Sequence, residues 1–334
     1  MKAVGYQRSL PIDHPEALLD IDIEAPLPGP NDLLIAVNAV AVNPVDSKIR
    51  QRAEPQQGYK ILGWDAVGEV LQTGAAVTGF NVGDRVWYAG DLTRPGCNAQ
   101  QQLVDARIAA KAPQSLSDVQ AAAMPLTSIT AYELLFDRLT LQHNSDQRTL
   151  LVIGAAGGVG SVLVQLAKQL TQANVIATAS RPESKQWVEA LGADQVIDHS
   201  APLAAQLDDD AAVTDVVLLT HSDEYFDEVI DLIQPQGRIG IIDDPSEPLD
   251  ITRLKQKSVS LHWEFMYTRS MFQTADMAAQ GKLLAHVAEL CDNGQLRSTL
   301  GRQFGELNAD NLRKAHEAIE SAKTIGKIVL TVPR

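Results

Sequence analysis

Cysteine is scarce in this chain: among 334 residues there are only two, Cys97 and Cys291. Two cysteines cannot form a disulfide framework, and neither has a nearby thiol with which to hold a metal. The sequence also lacks a run of about 18 apolar residues, which excludes a membrane-spanning helix. The residues from Met1 to Tyr6 lack the apolar run and cleavage site of a signal peptide. We therefore expect a cytoplasmic protein.

Positive charge is also in short supply. Lysine and arginine number 28 against 42 aspartates and glutamates, giving a formal net charge of −14. Nucleic acids and anionic membranes require a clustered positive surface, so we exclude both as partners and expect a small-molecule substrate. The hydrophobic fraction of 45% is typical of a folded globular protein, and the length predicts two domains. The one charge run, Asp208 to Asp210, is interpreted as a solvated loop.

Two patterns of secondary structure are predicted along the chain. Residues 1–120 favour short strands separated by turns, including a buried strand over 33–42 and glycine-interrupted strands over 66–86, as in a small barrel. Helices are predicted from 117 and over 128–139. Beyond 149, strands alternate with helices, which is typical of a doubly wound parallel sheet. These strands are predicted at 149–153, 174–179, 195–197, 215–219, 237–242 and 258–264. The helices are predicted at 159–170, 183–191, 201–207, 224–233, 249–256, 271–292 and 309–321, before a last strand at 327–332.

A glycine-rich segment between a strand and a helix is the most informative feature. It matches the pattern G-x-G-x-x-G, with alanine in the first position. Such glycines let the backbone approach a pyrophosphate, whose charge lies against the free amides of the helix start. The predicted cofactor-binding residues are Gly154, Ala155, Ala156, Gly157, Gly158, Val159 and Gly160. The alternative is a glycine turn that serves only helix packing.

The end of the next predicted strand indicates which dinucleotide is bound. An Asp or Glu about 20 residues after the glycines binds the ribose of NAD, whereas arginine accommodates the 2′-phosphate of NADP. Here Ser180 and Arg181 occupy that place, Lys185 follows, and residues 178–181 contain no carboxylate. We therefore predict NADPH as the cofactor, with these three residues at the phosphate. The alternative is that both cations are ordinary surface residues.

Several motifs in family order resemble the medium-chain dehydrogenase/reductase superfamily, and most of all its zinc-lacking quinone oxidoreductase branch, which includes proteins labelled zinc-type alcohol dehydrogenase-like. The motifs lie at 41–46, 62–70, 80–86, 125–132, 155–160 and 326–330. The resemblance implies an α/β protein with a GroES-like, β-rich catalytic domain split between 1–124 and 267–334. A Rossmann domain that binds NADP(H), a doubly wound parallel sheet, is then inserted as 125–266. It also implies a homodimer or homotetramer.

The resemblance also shows where this chain departs from zinc alcohol dehydrogenases. The positions of their catalytic zinc ligands are here Asn43, Trp64 and Leu126, and the four-cysteine lobe for structural zinc is absent. An amide, an indole and an isobutyl group cannot form a zinc site, so no metal is expected. The seven histidines have no pair at i, i+4 spacing and are interpreted as surface or core residues.

Without a Lewis acid, acceptors that take hydride by conjugate addition are favoured over simple alcohols. We therefore predict a zinc-independent, NADPH-dependent reductase of quinones or α,β-unsaturated carbonyls. The alternatives are an alcohol dehydrogenase or double-bond reductase acting on another substrate, and a non-catalytic NADPH-binding redox sensor.

The resemblance assigns further residues to the site. Asn43 and Asp46 are expected near the nicotinamide and its ribose, with a turn-capping role as the alternative for Asn43. Trp64 either walls the pocket or belongs to the core, and Thr127 either faces the nicotinamide or caps a helix. Tyr88, and with less support Tyr59, are candidate donors to a developing oxyanion.

Four residues at strand ends complete the predicted cofactor site. Thr220 and Ile242 are expected to approach the cofactor, because ligands bind outside the carboxyl ends of parallel strands. Phe265 and Met266 follow the last predicted strand of the sheet and are expected to close over the nicotinamide, with core packing as the alternative.

Overall fold

The computed structural model describes residues 1–141, 148–208 and 211–333. His143 and the Asp209–Asp210 part of the charge run lie outside these described residues. The chain divides into two compact units. The split unit comprises Met1–Ile129 and Tyr267–Arg334, and the inserted unit comprises Thr130–Met266.

Strands and helices are numbered in chain order. The strands are β1 (Lys2–Tyr6), β2 (Leu19–Asp22), β3 (Asp32–Val42), β4 (Lys60–Ile61), β5 (Ala66–Thr73), β6 (Arg85–Tyr88), β7 (Gln101–Asp105), β8 (Ala109–Lys111), β9 (Thr149–Ile153), β10 (Asn174–Thr178), β11 (Gln195–Ile197), β12 (Val213–Leu218), β13 (Arg238–Ile241), β14 (Ser260–Trp263), β15 (Leu300–Glu306) and β16 (Lys327–Thr331). The α-helices are α1 (Pro44–Arg52), α2 (Asp118–Ala122), α3 (Pro125–Tyr132), α4 (Gly158–Leu170), α5 (Pro182–Ala190), α6 (Ser222–Leu232), α7 (Thr268–Met271), α8 (Ala279–Asp292) and α9 (Ala309–Glu320). A π-helical turn over Glu133–Arg138 follows α3.

The split unit is built around β3, whose run of β-branched and small residues is mostly buried. This strand pairs antiparallel with β5, β7 and β16. The order of the large sheet is β15-β16-β3-β5-β6-β8, and β2, β1 and β4 form a separate three-stranded sheet. Since β16 pairs directly with β3, the last strand of the chain belongs to the same sheet as strands from its first third. The predicted β-rich, GroES-like domain is confirmed.

The inserted unit is a six-stranded parallel sheet with the order β11-β10-β9-β12-β13-β14. Its strands are apolar and packed between helices, because crossover connections cover both faces of a parallel sheet. The strand order reverses between β9 and β12, which is where doubly wound sheets bind ligands at the carboxyl ends of their strands. The predicted Rossmann domain is confirmed.

Some predicted helices and one strand differ in the structure. Over 201–207 only a 3-10 turn forms, at Ala204–Gln206, and 249–256 is replaced by a 3-10 helix at Ile251–Lys257. The predicted helix 271–292 is broken, because Gln273 adopts a φ of 46° and the chain restarts as α8. Strand β15 is not predicted from the sequence, because its largely exposed residues include two glycines and show no apolar alternation.

Candidate cofactor and catalytic sites

The glycine turn at the end of β9 is formed by Gly154, with a φ of 85°, rather than by the residue that fills the first motif position. Ala155 therefore needs no left-handed conformation, which explains why alanine is accepted there. The Gly154 amide donates to the Thr178 hydroxyl at 3.2 Å, which ties the turn to the end of β10.

The two later glycines have different roles in this turn. A Cβ atom at Gly160 would lie 2.5 Å from the Cα and the carbonyl oxygen of Ala155, so this glycine allows α4 to pack on the strand end. A Cβ at Gly157 would meet only the Gly154 carbonyl oxygen, at 3.5 Å. The side of the loop at Gly157 is therefore open to a ligand, beside the unpaired amides of the first turn of α4. The loop at Gly157 and the first turn of α4 therefore fit a pyrophosphate. Ala156, Gly158 and Val159 complete this loop.

The side chains at the start of α5 are arranged next to this turn. Arg181 is the N-cap of α5, and its backbone amide donates to the Ser184 hydroxyl at 3.2 Å. The Lys185 ammonium lies 3.3 Å from the Asp198 carboxylate, which follows β11. Sequence reasoning missed Asp198, since no spacing rule relates the residue after one strand to the helix after another. Lys185 therefore already has an anionic partner at the predicted phosphate site.

The predicted residues at the other strand ends lie in different surroundings. Thr220 reaches the glycine turn, because a Cβ at Gly154 would lie 3.0 Å from the Thr220 methyl group. The Ile242 amide donates to the Leu218 carbonyl at 3.3 Å, at the ends of β12 and β13. Phe265 is 46% exposed, whereas Met266 is buried. The roles of Ile242, Phe265 and Met266 toward a nicotinamide stay predictions.

The split unit contains a buried polar cluster formed by Asn43, Asp46, Asp65 and Lys327. The Lys327 ammonium lies 3.0 Å from the Asp65 carboxylate and also donates to the Asn43 side-chain oxygen. The Asn43 side-chain nitrogen donates to Asp65 at 3.2 Å. Asp46 accepts from the backbone amides of Asn43, at 2.7 Å, and Gly63, at 3.2 Å. All four side chains are at least nine-tenths buried.

Burial dominates the electrostatics of this cluster. It raises the pKa of Asp46 to about 7, although the hydrogen bond from the Asn43 amide and the Lys327 charge act against it. Burial also raises the pKa of Asp65, against the attraction of the same lysine. Two carboxyl groups thus share one ammonium in a site of low polarity. The cluster can hold a proton near neutral pH.

Sequence reasoning found two members of the cluster and missed Asp65 and Lys327. The structure assigns Asn43 the N-cap position of α1, with its amide engaged by Asp65 and Lys327. It also encloses Asp46 among backbone amides. The signal for Asp65 was its place beside Trp64 in the 62–70 motif. Lys327 is separated from Asn43 by 284 residues, and no sequence pattern relates the two.

The aromatic candidates and Thr127 are also placed by the structure. Trp64 is fully buried, and its indole N–H donates to the Arg94 carbonyl at 3.4 Å. Tyr88 is fully buried, its hydroxyl has no hydrogen-bond partner among the described residues, and burial raises its pKa well above 10. Tyr59 is 44% exposed. The Thr127 hydroxyl donates to the Met124 carbonyl at 3.1 Å, within the first turn of α3. Tyr88 is thus the phenol with an unused donor.

The zinc-ligand positions of the resemblance are occupied by groups that do not suit zinc. The Asn43 oxygen faces the Lys327 ammonium, which would repel a divalent cation. The Leu126 amide donates to Asp65 at 3.2 Å, so this position supplies a backbone donor and no ligand. Within 1–141, 148–208 and 211–333 there is no group of three or more His, Cys, Asp or Glu side chains that could hold a metal ion.

We expect the purified protein to contain no stoichiometric zinc by inductively coupled plasma mass spectrometry. We also expect EDTA to leave its melting temperature unchanged, because the positions discussed above offer an amide, an indole and an aliphatic side chain. One zinc per chain, removed by EDTA with loss of stability, would contradict this prediction.

Among the described residues, no helix is both long enough and apolar enough to cross a bilayer.

Comparison with known proteins agrees with this architecture. Residues 29–114 match the alcohol dehydrogenase GroES-like domain and residues 191–330 match the zinc-binding dehydrogenase family. A zinc-type alcohol dehydrogenase-like protein of Staphylococcus aureus is 38% identical over 337 residues, covering 99% of this chain and 100% of the relative.

Solved structures show the same likeness. A Rhizobium etli protein, named provisionally as a zinc-dependent alcohol dehydrogenase, has a TM-score of 0.95 and 48% identity, covering 99% of this chain and 98% of its own. The Escherichia coli quinone oxidoreductase in complex with NADPH has a TM-score of 0.84 and 25% identity, covering 99% of this chain and 100% of its own. The chain belongs to the medium-chain dehydrogenase/reductase superfamily of oxidoreductases.

Proposed function

We propose that this chain is a zinc-independent oxidoreductase that uses NADPH to reduce quinones or α,β-unsaturated carbonyl compounds. The observation that carries the proposal is the end of β10, where Ser180 and Arg181 stand in place of a carboxylate. The glycine turn is hydrogen-bonded to the same strand end through Thr178. An arginine so placed matches the 2′-phosphate of NADPH, which a carboxylate would repel.

The chain's own residues then have separate tasks. The amides at the start of α4 bind the pyrophosphate, and Arg181 binds the 2′-phosphate. Lys185 contributes positive charge there, offset by its ion pair with Asp198. NADPH supplies a hydride and a proton from water completes the reduction, so that an enone becomes a saturated ketone, or a quinone a hydroquinone, with release of NADP⁺. Tyr88 is the proposed donor to the developing oxyanion, because its hydroxyl has no partner among the described residues.

Two observations support the acceptor class, one from the neighbours and one from this chain. The Escherichia coli structure with NADPH is a quinone oxidoreductase, and so is a Coxiella burnetii structure with 27% identity and a TM-score of 0.83. The zinc-ligand positions of the resemblance do not suit a metal, which disfavours simple alcohols as substrates. A cytoplasmic location and a homodimeric or homotetrameric assembly stay predictions.

The experiment follows NADPH absorbance with the purified protein and a panel of quinones, enones, aldehydes and ketones. We expect turnover with quinones or enones and little with simple ketones. Tight NADPH binding without turnover on any acceptor would favour the redox sensor instead. Turnover confined to simple carbonyls would favour the alcohol dehydrogenase alternative.

A second measurement tests the cofactor. We expect Arg181→Ala to weaken NADPH binding by about 10- to 100-fold, which corresponds to the loss of one charge-assisted contact, and to leave NADH binding nearly unchanged. Arg253→Ala is the matched control, because Arg253 lies in the same unit but pairs with Asp227 and Asp231 on the surface. Equal dissociation constants for NADPH and NADH in the wild type would contradict the proposed cofactor.

A further inference from the structure

The carboxyl ends of β10 and β11 lie side by side. Thr178 pairs with Ile197 in register, and the Ala179 amide donates to the Ile197 carbonyl at 2.9 Å. The loops that leave these two strands therefore start from neighbouring points at the same edge of the sheet. The first loop carries Arg181, and the second carries His199.

The His199 ring is held in place by α6. The His199 and Tyr225 rings form a T-shaped pair, with a centroid distance of 6.5 Å and an interplanar angle of 88°. The Tyr225 hydroxyl also donates to the His199 carbonyl at 3.3 Å. The His199 Nδ1 atom is buried and has no hydrogen-bond partner among the described residues. The imidazole is thus fixed in position while one of its nitrogens remains unused.

Titratable groups from three parts of the chain act electrostatically on this ring. Arg181 caps the start of α5 and Lys185 lies within it, His221 precedes α6, and Asp198 is the adjacent residue. Burial lowers the pKa of His199, and the nearby His221, Arg181 and Lys185 lower it further, while Asp198 opposes them. Hydrogen bonds from Ser200 and Lys185 hold the pKa of Asp198 at about 2, so its carboxylate stays ionised and partnered. At neutral pH the His199 ring is therefore uncharged.

We propose that His199 couples cofactor choice to proton uptake: it gains one proton from water when the 2′-phosphate of NADPH binds beside Arg181, and none when NADH binds. This inference rests on the proposed NADPH site. A phosphate carries nearly two negative charges at neutral pH and three acceptor oxygens. Placed between Arg181 and His199, it reverses the local potential and gives the protonated imidazole an acceptor. NADH lacks this phosphate and leaves the ring uncharged.

The sign of the pH dependence follows from this coupling. Because NADPH binding draws a proton from solution, NADPH affinity falls as the pH rises, by up to about tenfold per pH unit between the free and bound pKa values of His199. NADH affinity stays flat over the same range. The 2′-phosphate itself takes up a proton near pH 6, so the comparison is made above that pH.

The experiment is isothermal titration calorimetry of NADPH and NADH into the full chain, near pH 7, in two buffers of different ionisation enthalpy. The wild type is expected to take up about 0.5–1 proton per NADPH and close to zero per NADH. His199→Asn is expected to take up close to zero with either ligand. His221→Asn is the matched control, since it removes the other histidine of this patch and should keep the uptake. His199→Gln serves as a second variant should the asparagine variant fail to fold.

Uptake that survives in both His199 variants, or that disappears only in His221→Asn, overturns the inference. Equal uptake with NADH also overturns it. A wild type that prefers NADPH yet takes up no proton defeats the role of His199 and leaves the proposed cofactor standing. A wild type that binds both dinucleotides equally defeats the proposed cofactor itself.

Discussion

Replacing Lys327 by methionine is expected to lower the free energy of unfolding of the split unit by about 3–5 kcal/mol, because removal of one partner leaves an uncompensated buried charge. Lys327 is the ammonium shared by Asp65 and the Asn43 oxygen, and it is 3% exposed. Methionine is also unbranched and apolar, so the main loss is the positive charge. Urea unfolding followed by tryptophan fluorescence measures the effect, since Trp64 and Trp87 are fully buried in this unit.

The loss of unfolding free energy in Lys327→Met should grow as the pH rises. The folded pKa of Asp46, about 7, lies above its ordinary value of 3.8, so the native state binds more protons than the unfolded state between these values. This group therefore lowers stability as the pH rises from about 4 to 7. Removal of Lys327 takes away an attraction that favours both carboxylates, which extends the decline to higher pH. The difference between variant and wild type should be larger at pH 8 than at pH 5.

Lys2→Met is the matched control for this prediction. The Lys2 ammonium lies 2.7 Å from Asp22, but both side chains are about 70% exposed. Exposed ion pairs are screened by water and contribute little to stability, so this variant should unfold close to the wild type at both pH values. Equal losses in the two variants, or a Lys327→Met loss that does not depend on pH, would show that the buried cluster does not carry the charge coupling described here.

The sequence predicts the parallel sheet of the inserted unit well because most of its strands are local apolar runs, and β9, β10 and β12 are each followed by an α-helix. The glycine turn could be predicted for the same reason, because its motif is a short contiguous segment of the sequence. The contact between Asp65 and Lys327 could not be predicted from local sequence, since it depends on the pairing of β16 with β3. Strand β15 was missed because its pairing with β16, rather than its own pattern, makes it a strand.

The candidate site shows the same contrast between features set by local sequence and contacts between distant segments. Thr178 ends β10 and is hydrogen-bonded to the glycine turn, and Arg181 follows at the start of α5; its role at a phosphate stays a prediction. The partner of Lys185 was not foreseen, because Asp198 reaches it from another strand end. Asn43 and Asp46 were expected to face a ligand, and the structure adds backbone amides, Asp65 and Lys327 as their partners. A motif therefore indicates which residues matter before it indicates what they contact.

Gly160→Ala and Gly157→Ala are expected to separate packing from ligand approach within one loop. At Gly160 the new Cβ would lie 2.5 Å from backbone atoms of Ala155, so α4 must move away from the end of β9. Overpacking of this kind costs about 1–3 kcal/mol, and displacement of the α4 amides should also weaken NADPH binding more than tenfold. At Gly157 the nearest atom is 3.5 Å away and φ is −73°, which alanine adopts without strain.

Gly157→Ala should therefore keep its unfolding free energy within about 0.5 kcal/mol of the wild type, because the added methyl group would meet only the Gly154 carbonyl oxygen, at an ordinary contact distance of 3.5 Å. It should still weaken NADPH binding, since the methyl group occupies the side of the loop that a pyrophosphate approaches. Trp187 reports on this region, because its indole N–H donates to Ser161 of α4 at 2.8 Å. If Gly157→Ala binds NADPH like the wild type, the glycine turn serves only helix packing and does not bind a phosphate.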